Sequence, residues 1–358
     1  MNVSLAGLPF SGKTCLFDAV SGGVVDSASS PARADHPNAA MVALPDARLD
    51  WLSEHYKTPK RTPVQMEWLD LPGLAPGRAD LASQNTAIME HLRRADILVY
   101  VLRAFQSTLM PDKPDPKADR DRLRGEFLLS DLDVILRRIE KIEKQIAKPV
   151  SDREALRREL EFLGRCREAL EAEKPLREVV RTEAERAILR GFCALTEKPT
   201  VIVLNAGEDD AGNPEAVAEK YKDLGGPVVA LCTSLEREIG QLPPEDRATF
   251  MSEMGLGGFH APRLIKRVYE ALGRITYFTA GEKEVAARSI VKGTNAVESA
   301  EEVHSDIARG FIRAEVVTYE DFTRDGGLKQ AREKGHFHIE GRDYIVQDGD
   351  IILFHFTR

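Results

Sequence analysis

Only four cysteines, Cys15, Cys166, Cys193 and Cys232, occur in the 358 residues, widely scattered and with no C-x-x-C pair. Their scarcity excludes a cysteine zinc centre and a disulfide framework, and it fits a reducing compartment. Long hydrophobic runs are missing too. No stretch reaches the roughly 20 apolar residues that a membrane span needs, so a soluble, unprocessed, cytoplasmic protein without a membrane partner is expected. Charge of one sign is not in large excess either: Lys and Arg number 50 against 58 Asp and Glu, a formal net of −8. That balance excludes a surface that binds polyanions everywhere; DNA is not expected as a partner, and any nucleic-acid contact is local. The length allows two or three domains with full cores.

Against these absences stands Gly7-Leu8-Pro9-Phe10-Ser11-Gly12-Lys13-Thr14, a G-x-x-x-x-G-K-[ST] pattern. It directly follows the apolar run Val3 to Ala6 and precedes the helix-like Cys15 to Val20. Strand, glycine loop and helix in that order form a phosphate cradle. The glycines let backbone N–H groups turn inward, and the helix adds its positive N-terminal dipole. In that role Lys13 neutralises the β- and γ-phosphates and Thr14 holds Mg²⁺. A second signal, Asp70-Leu71-Pro72-Gly73, ends the strand candidate Val64 to Leu69. An Asp in D-x-x-G acts through the Mg²⁺ shell, with the Gly73 amide facing the γ-phosphate.

Further buried-strand runs are Ile97 to Leu102, Val201 to Leu204 and Val228 to Leu231, with the helix-like Thr86 to Ala95 before the first. Strands alternating with helices predict an α/β fold with a doubly wound, mostly parallel sheet. Its ligand crevice lies at the carboxyl ends of the strands, where Gly7, Asp70 and Asn205 stand. Leu128, Leu132, Ile135, Ile139, Ile142 and Ile146 form a heptad seam on a charged helix. Pro149 interrupts it, Ser151-Asp152-Arg153-Glu154 reads as a capping box, and Leu156, Leu160, Leu163 and Leu170 resume the spacing. These features predict an inserted antiparallel helical hairpin. Ile312 to Thr318, Tyr344 to Val346 and Ile351 to Phe356 predict short strands of a β-rich terminal domain. The expected division is 1–116 with 197–274 for the nucleotide domain, 117–196 for the hairpin and 275–358 for the terminal domain.

Two positions depart from a guanine-specific switch protein. Leu74 follows Gly73 where small GTPases carry the glutamine that orients the attacking water. Asn205-Ala206-Gly207-Glu208 stands where N-K-x-D would read guanine, without the lysine and with a longer acid. A misplaced polar pairing costs on the order of 1–3 kcal/mol.

Through these residues the chain resembles the YchF / Obg-like ATPase family. The N-x-x-E, the hydrophobic residue after D-x-x-G and the coiled-coil insertion carry the likeness. So do Pro45-Asp46-Ala47-Arg48-Leu49, Ala95-Asp96, Arg103-Ala104-Phe105, Glu197-Lys198-Pro199 and Cys232-Thr233-Ser234-Leu235-Glu236. Thr276 to Gly281, His304-Ser305-Asp306, Gly310 to Glu315 and Asp343 to Asp350 look like its TGS domain, a ubiquitin-like β-grasp. The resemblance implies a cytoplasmic NTPase that prefers ATP to GTP; a monomer that hydrolyses ATP slowly is the expectation. The resemblance further implies that the protein engages the ribosome through the hairpin and TGS domain and regulates translation or stress responses. The family's nucleotide contacts fall on Leu8, Pro9, Phe10, Ser11, Gly12, Lys13, Thr14, Cys15 and Gly73, and on Asn205, Ala206 and Glu208. Mg²⁺ falls to Thr14 and Asp70, and adenine to main-chain groups near Ala206.

Three departures surround the γ-phosphate. Ala40 stands where the first switch carries a threonine, and no threonine occurs between Thr14 and Thr58. The second switch, from Gly73 through Gly77 to Asn85, is poor in glycine. Gln106 to Pro116 holds no histidine where the family offers one for hydrolysis. The chain therefore reads as a divergent paralogue with no assigned catalytic residue beyond charge stabilisation by Lys13. His36 is a loop histidine near the first switch, and His304 has a packing or recognition role. A nucleotide sensor with little hydrolysis, or a GTP-specific switch, are the alternative readings.

Overall fold

Near-continuous apolar runs become adjacent buried strands. The computed structural model describes residues 1–23, 32–107, 110–148, 152–256 and 258–357. Strands β1 (Asn2–Ala6), β2 (Asn38–Ala43), β3 (Arg61–Thr62), β4 (Gln65–Asp70), β5 (Ile97–Ala104), β6 (Thr200–Ala206) and β7 (Val228–Leu231) occupy the first two-thirds of the chain. All but β3 join one sheet, in the order β2-β4-β1-β5-β6-β7. The pairs β4/β1, β1/β5, β5/β6 and β6/β7 are parallel. Ile97 to Leu102 are buried throughout, as a strand covered on both faces requires. Helices α1 (Lys13–Ser21), α2 (Ala47–Tyr56), α3 (Ala82–Arg94), α4 (Pro116–Ile146) and α5 (Arg153–Glu171) follow in sequence, then α6 (Glu183–Phe192), α7 (Pro214–Lys220), α8 (Thr233–Gln241), α9 (Pro244–Glu253) and α10 (Ala261–Ala271).

The chain forms two compact units, Met1–Ala40 with Glu67–Ala261, and Met41–Met66 with Pro262–Arg358. In the first, Asp115 caps α4 by accepting from Ala118 N at 3.0 Å, and Pro116 occupies the first turn, where its missing N–H costs nothing. The expected seam is formed: Leu128, Ile135, Ile139 and Ile142 of α4 cluster with Leu163, Cys166 and Leu170 of α5. Arg124 near the start of α4 donates to Glu173 O just past the end of α5. Arg138, far along α4, meets Glu159 early in α5 at 2.7 and 2.8 Å, so the two helices run antiparallel. Pro149 and Ser151, which the sequence reading used, lie outside the described residues. Asp152 precedes α5 without a side-chain cap bond. The reciprocal capping box falls instead on α6, between Thr182 and Glu185.

In the second unit β8 (Arg274–Ala280), β9 (Val285–Val291), β10 (Phe311–Thr318), β11 (His338–Glu340) and β12 (Asp350–Phe356) join β3 in a mixed sheet, ordered β11-β10-β12-β8-β9-β3. β8 and β9 form an antiparallel hairpin, β12 pairs parallel to β8, and β10 pairs antiparallel to β12. That mixed arrangement, with α11 (Ala296–Glu301) and α12 (Ser305–Arg309) between β9 and β10, is a β-grasp. Tyr344 to Val346 is not a strand. Ile345 makes a single bridge to Asn295, because the buried Asp350 carboxylate accepts from Tyr344 Oη at 2.7 Å and Gln347 N at 2.9 Å and bends the chain.

Segment 41–66 joins this second unit through named contacts. Arg48 of α2 is bidentate to Asp46, reaches Asp348 at 2.7 Å and lies over the Phe278 ring. Trp51 packs edge-on against Tyr319 and Phe322.

Candidate nucleotide site

The loop between β1 and α1 is shaped by backbone that only glycine accepts. Gly12 has φ 92°, and a Cβ there would stand 2.1 Å from Asn205 Nδ2. Asn205, at the carboxyl end of β6, donates from Nδ2 to Ser11 O at 3.1 Å. Its Oδ1 accepts from Thr233 N at 3.2 Å and Thr233 Oγ1 at 3.0 Å. One amide thus ties the glycine loop to the start of α8. Lys13 is buried and curls back, donating to Leu8 O at 2.9 Å and Gly7 O at 3.3 Å. Burial pushes its ammonium down to about 8, against the opposing pull of the Asp70 charge. Pro9 and Phe10 are exposed at the tip, Phe10 with φ 62°.

Asp70 ends β4 with no exposed surface. Its Oδ2 accepts from Thr14 Oγ1 at 2.9 Å. Burial pushes the carboxyl up to about 6, although Thr14, Lys13 and the Asn38 side chain all favour its charged form. Three expected residues, Lys13, Thr14 and Asp70, therefore meet in one place. Gly73 abuts the loop as well: a Cβ on it would lie 2.4 Å from Pro9 N. Leu74 N donates to Gly7 O at 3.0 Å, while its side chain is buried with Leu71, Ile88, Leu92 and Leu102. Asn85 then brackets the second switch, accepting from Ala75 N at 3.1 Å and donating to Ala75 O at 3.0 Å.

Ala206 is buried beyond Asn205, and Glu208 is exposed with no side-chain partner among the described residues. Phe105 lies beside Gly207, 3.7 Å from where its Cβ would be. Cys15 is partly buried with Arg237 Nη1 3.6 Å from its sulfur, and burial raises its thiol. Glu236 turns from the site to cap α10, accepting from His260 N at 2.8 and 3.0 Å and Ala261 N at 3.0 Å. His36 is exposed beside Asp35, and His304 caps α12 by accepting from Asp306 N. Ala40 is buried in β2.

Sequence reasoning left the role of Arg103 open. It is 5% exposed and donates to the carbonyls of Phe105, Met110 and Asp112 at 3.4, 3.3 and 3.0 Å. It thus folds the loop after β5; residues 108 and 109 of that loop lie outside the described residues. The available signal was a lone cation in an otherwise apolar strand.

Thr14 and Asp70 offer two hard oxygen donors within hydrogen-bonding distance of each other, a pair that fits Mg²⁺ completed by phosphates and water. Among the described residues no cluster of three or more His, Cys, Asp or Glu could hold a metal instead, and no helix is long and apolar enough to cross a membrane.

A parallel doubly wound sheet whose first strand opens into this glycine loop, followed by a β-grasp, defines a P-loop NTPase. The family model YchF-GTPase_C, described as "Protein of unknown function (DUF933)", matches residues 274–357. The chain is 37% identical over 366 residues to the ribosome-binding ATPase YchF of Bacillus subtilis, covering 100% of this chain and 99% of that protein. It is 31% identical over 366 residues to Obg-like ATPase 1 of Oryza sativa subsp. japonica, covering 100% and 92%. The solved structure of the Schizosaccharomyces pombe YchF GTPase matches with a TM-score of 0.85 at 26% identity, covering 99% of this chain and 97% of that one. The chain belongs to the YchF family.

Proposed function

We propose that this chain is an Mg²⁺-dependent, ATP-preferring NTPase that works as a cytoplasmic, ribosome-directed switch with slow intrinsic hydrolysis. The convergence of Lys13, Thr14 and Asp70 under the Gly12 turn carries the reading. The phosphates lie along Leu8 to Cys15 with Gly73 beside the γ-phosphate. Thr14 and Asp70 hold the metal, which neutralises phosphate charge. The base lies against Asn205, Ala206 and Glu208, with adenine held by main-chain groups near Ala206, because Ala206 and Glu208 stand where a guanine reader has its lysine and aspartate. The printed names of the Bacillus and Oryza relatives support the ATPase assignment, and the former supports the ribosome as partner. The hairpin and terminal domain are the surfaces we assign to it.

A second reading, a sensor that binds without turnover, is favoured by one observation. Leu74 is 1% exposed inside the core, so the position after D-x-x-G presents no group to a water. Titrating the full chain with ATP and GTP, with and without Mg²⁺, followed by single-turnover assays with and without ribosomes, separates the readings. ATP should bind more tightly, and Lys13→Ala should abolish binding. A tenfold preference for GTP, about 1.4 kcal/mol, overturns the base assignment, and bound ATP that stays intact in both turnover assays leaves the sensor.

A further inference from the structure

A cavity of about 230 Å³ lies at the hairpin root, among residues of α4, β5 and β6. Arg120 and Arg124 from α4, Arg177 from the turn after α5, and Tyr100 from β5 all line it. No residue of the glycine loop does so. Tyr100 belongs to the apolar cluster with Ile88 and Leu92 of α3 and Phe127 of α4.

The way these side chains are held leaves their charge available. Arg120 donates to Leu224 O at 2.9 Å and Arg124 to Glu173 O at 2.7 Å. A carbonyl orients a guanidinium without cancelling its charge. Asp121 approaches Arg120 Nε at 2.7 Å but is 53% exposed, so water screens that pair. Arg177 has no hydrogen-bond or ion-pair partner among the described residues. Tyr100 is 8% exposed, its hydroxyl has no hydrogen-bond partner among the described residues, and burial keeps the phenol protonated as a donor. Glu178 is the carboxylate in the wall, one negative charge against three positive ones. Nearby Asp131 is already satisfied by Arg93, Leu195 and Thr196.

Arg177 is exposed, so its donors are hydrated rather than stranded, and together with the Tyr100 hydroxyl they are free to exchange water for an anion. We propose that this cavity binds a small phosphate-class oxyanion, orthophosphate or diphosphate, with Arg120, Arg124, Arg177 and Tyr100 as its donors. The planar fork of arginine matches phosphate oxygens in pairs. At ~30 Å³ per water, the space equals roughly seven or eight waters, enough for a phosphate or diphosphate. It falls below the ~300–1,000 Å³ of sites that enclose larger ligands, so a small anion matches it better than a whole nucleotide. Because the donors come from β5, α4 and the turn after α5, the bound anion fastens the hairpin to the sheet.

The test uses the full chain saturated with ADP and Mg²⁺, so that the glycine loop is filled. Diphosphate and orthophosphate are titrated separately at constant ionic strength, with melting temperature and calorimetric affinity as readouts. Saturable stabilisation is expected, and whichever anion gives it at lower concentration is the better ligand. Arg177→Gln, which breaks no hydrogen bond or ion pair among the described residues, should weaken that affinity at least tenfold, and Tyr100→Phe should weaken it too, with ADP affinity unchanged. The response should persist in Lys13→Ala, which is titrated without ADP because its glycine loop no longer takes nucleotide. A shift that never saturates, that is equal in Arg177→Gln and Tyr100→Phe, or that disappears in Lys13→Ala overturns the proposal.

Discussion

Lys13 and Asp70 are opposite charges, each held at a cost by burial in the ligand-free protein. For Lys13 the folded value of about 8 lies below the ordinary 10.5. Its penalty is therefore full below pH 8 and fades as pH rises towards 10.5. Phosphates beside the ammonium restore its charge, so nucleotide binding near pH 8.5 should take up a fraction of a proton. Calorimetry in buffers of different ionisation heat measures it, and equal apparent heats would refute it. For Asp70 the folded value of about 6 lies above the ordinary 3.8. Its contribution favours the fold at low pH and is lost as pH rises through 6. Asp70→Asn should stabilise the ligand-free protein at pH 7.5 by about 1–2 kcal/mol, with no gain at pH 4. The same change should remove most of the Mg²⁺ dependence of nucleotide affinity. Urea melts at the two pH values and titrations with and without Mg²⁺ check both halves.

At the scale of the element, the hairpin is a long lever held at its root by one buried carboxylate. Asp131 is 1% exposed and accepts from Arg93 Nη1, Leu195 N, Thr196 N and Thr196 Oγ1. Arg93→Ala leaves that charge without its cation, which should cost about 3 kcal/mol. Urea denaturation with circular dichroism reads the loss, and Arg93→Lys should recover only part of it, because lysine cannot bridge Asp131 and Ser130 together. Further out, some of the basic side chains are paired, mostly at exposed positions where water screens the pair. Arg137 pairs with Asp133, Arg138 with Glu159 and Lys144 with Glu140. A ribosome contact through this helix pair would draw first on Lys141, Lys148, Arg153 and Arg157, which have no ion-pair partner among the described residues.

At the scale of the whole molecule, the two tryptophans fall in different units. Trp68 is in the first, and Trp51 is in the second against Phe322 and Tyr319. A Trp68→Phe background thus lets fluorescence follow the second unit by itself. In that background Arg48→Ala should destabilise the second unit by about 2 kcal/mol. It removes the charged bonds to Asp46 and Asp348 and the stacking on Phe278. An unchanged Trp51 melting curve would show that the aromatic contacts of α2 suffice.

The amino-acid order was informative wherever the signal is short in range. The glycine spacing in the loop, the heptad seam of α4 and α5 and the apolar runs of β1, β5, β6 and β7 each need only a few neighbouring residues. Periodicity and backbone sterics act at that distance, so these elements were legible; the meeting of Lys13, Thr14 and Asp70 is seen in the structure, and their chemistry is part of the proposal. Other roles depend on partners far along the chain, and packing alone decided them. Arg48 meets Asp348 three hundred positions away. Asn205 is spent on Ser11 and Thr233, Leu74 is drawn into the core, and Tyr344 to Val346 bends around Asp350. The sequence by itself determined which local structures and reactive groups exist. Tertiary structure decided which of them meet, because a side chain's environment is set by whatever distant backbone the fold brings beside it.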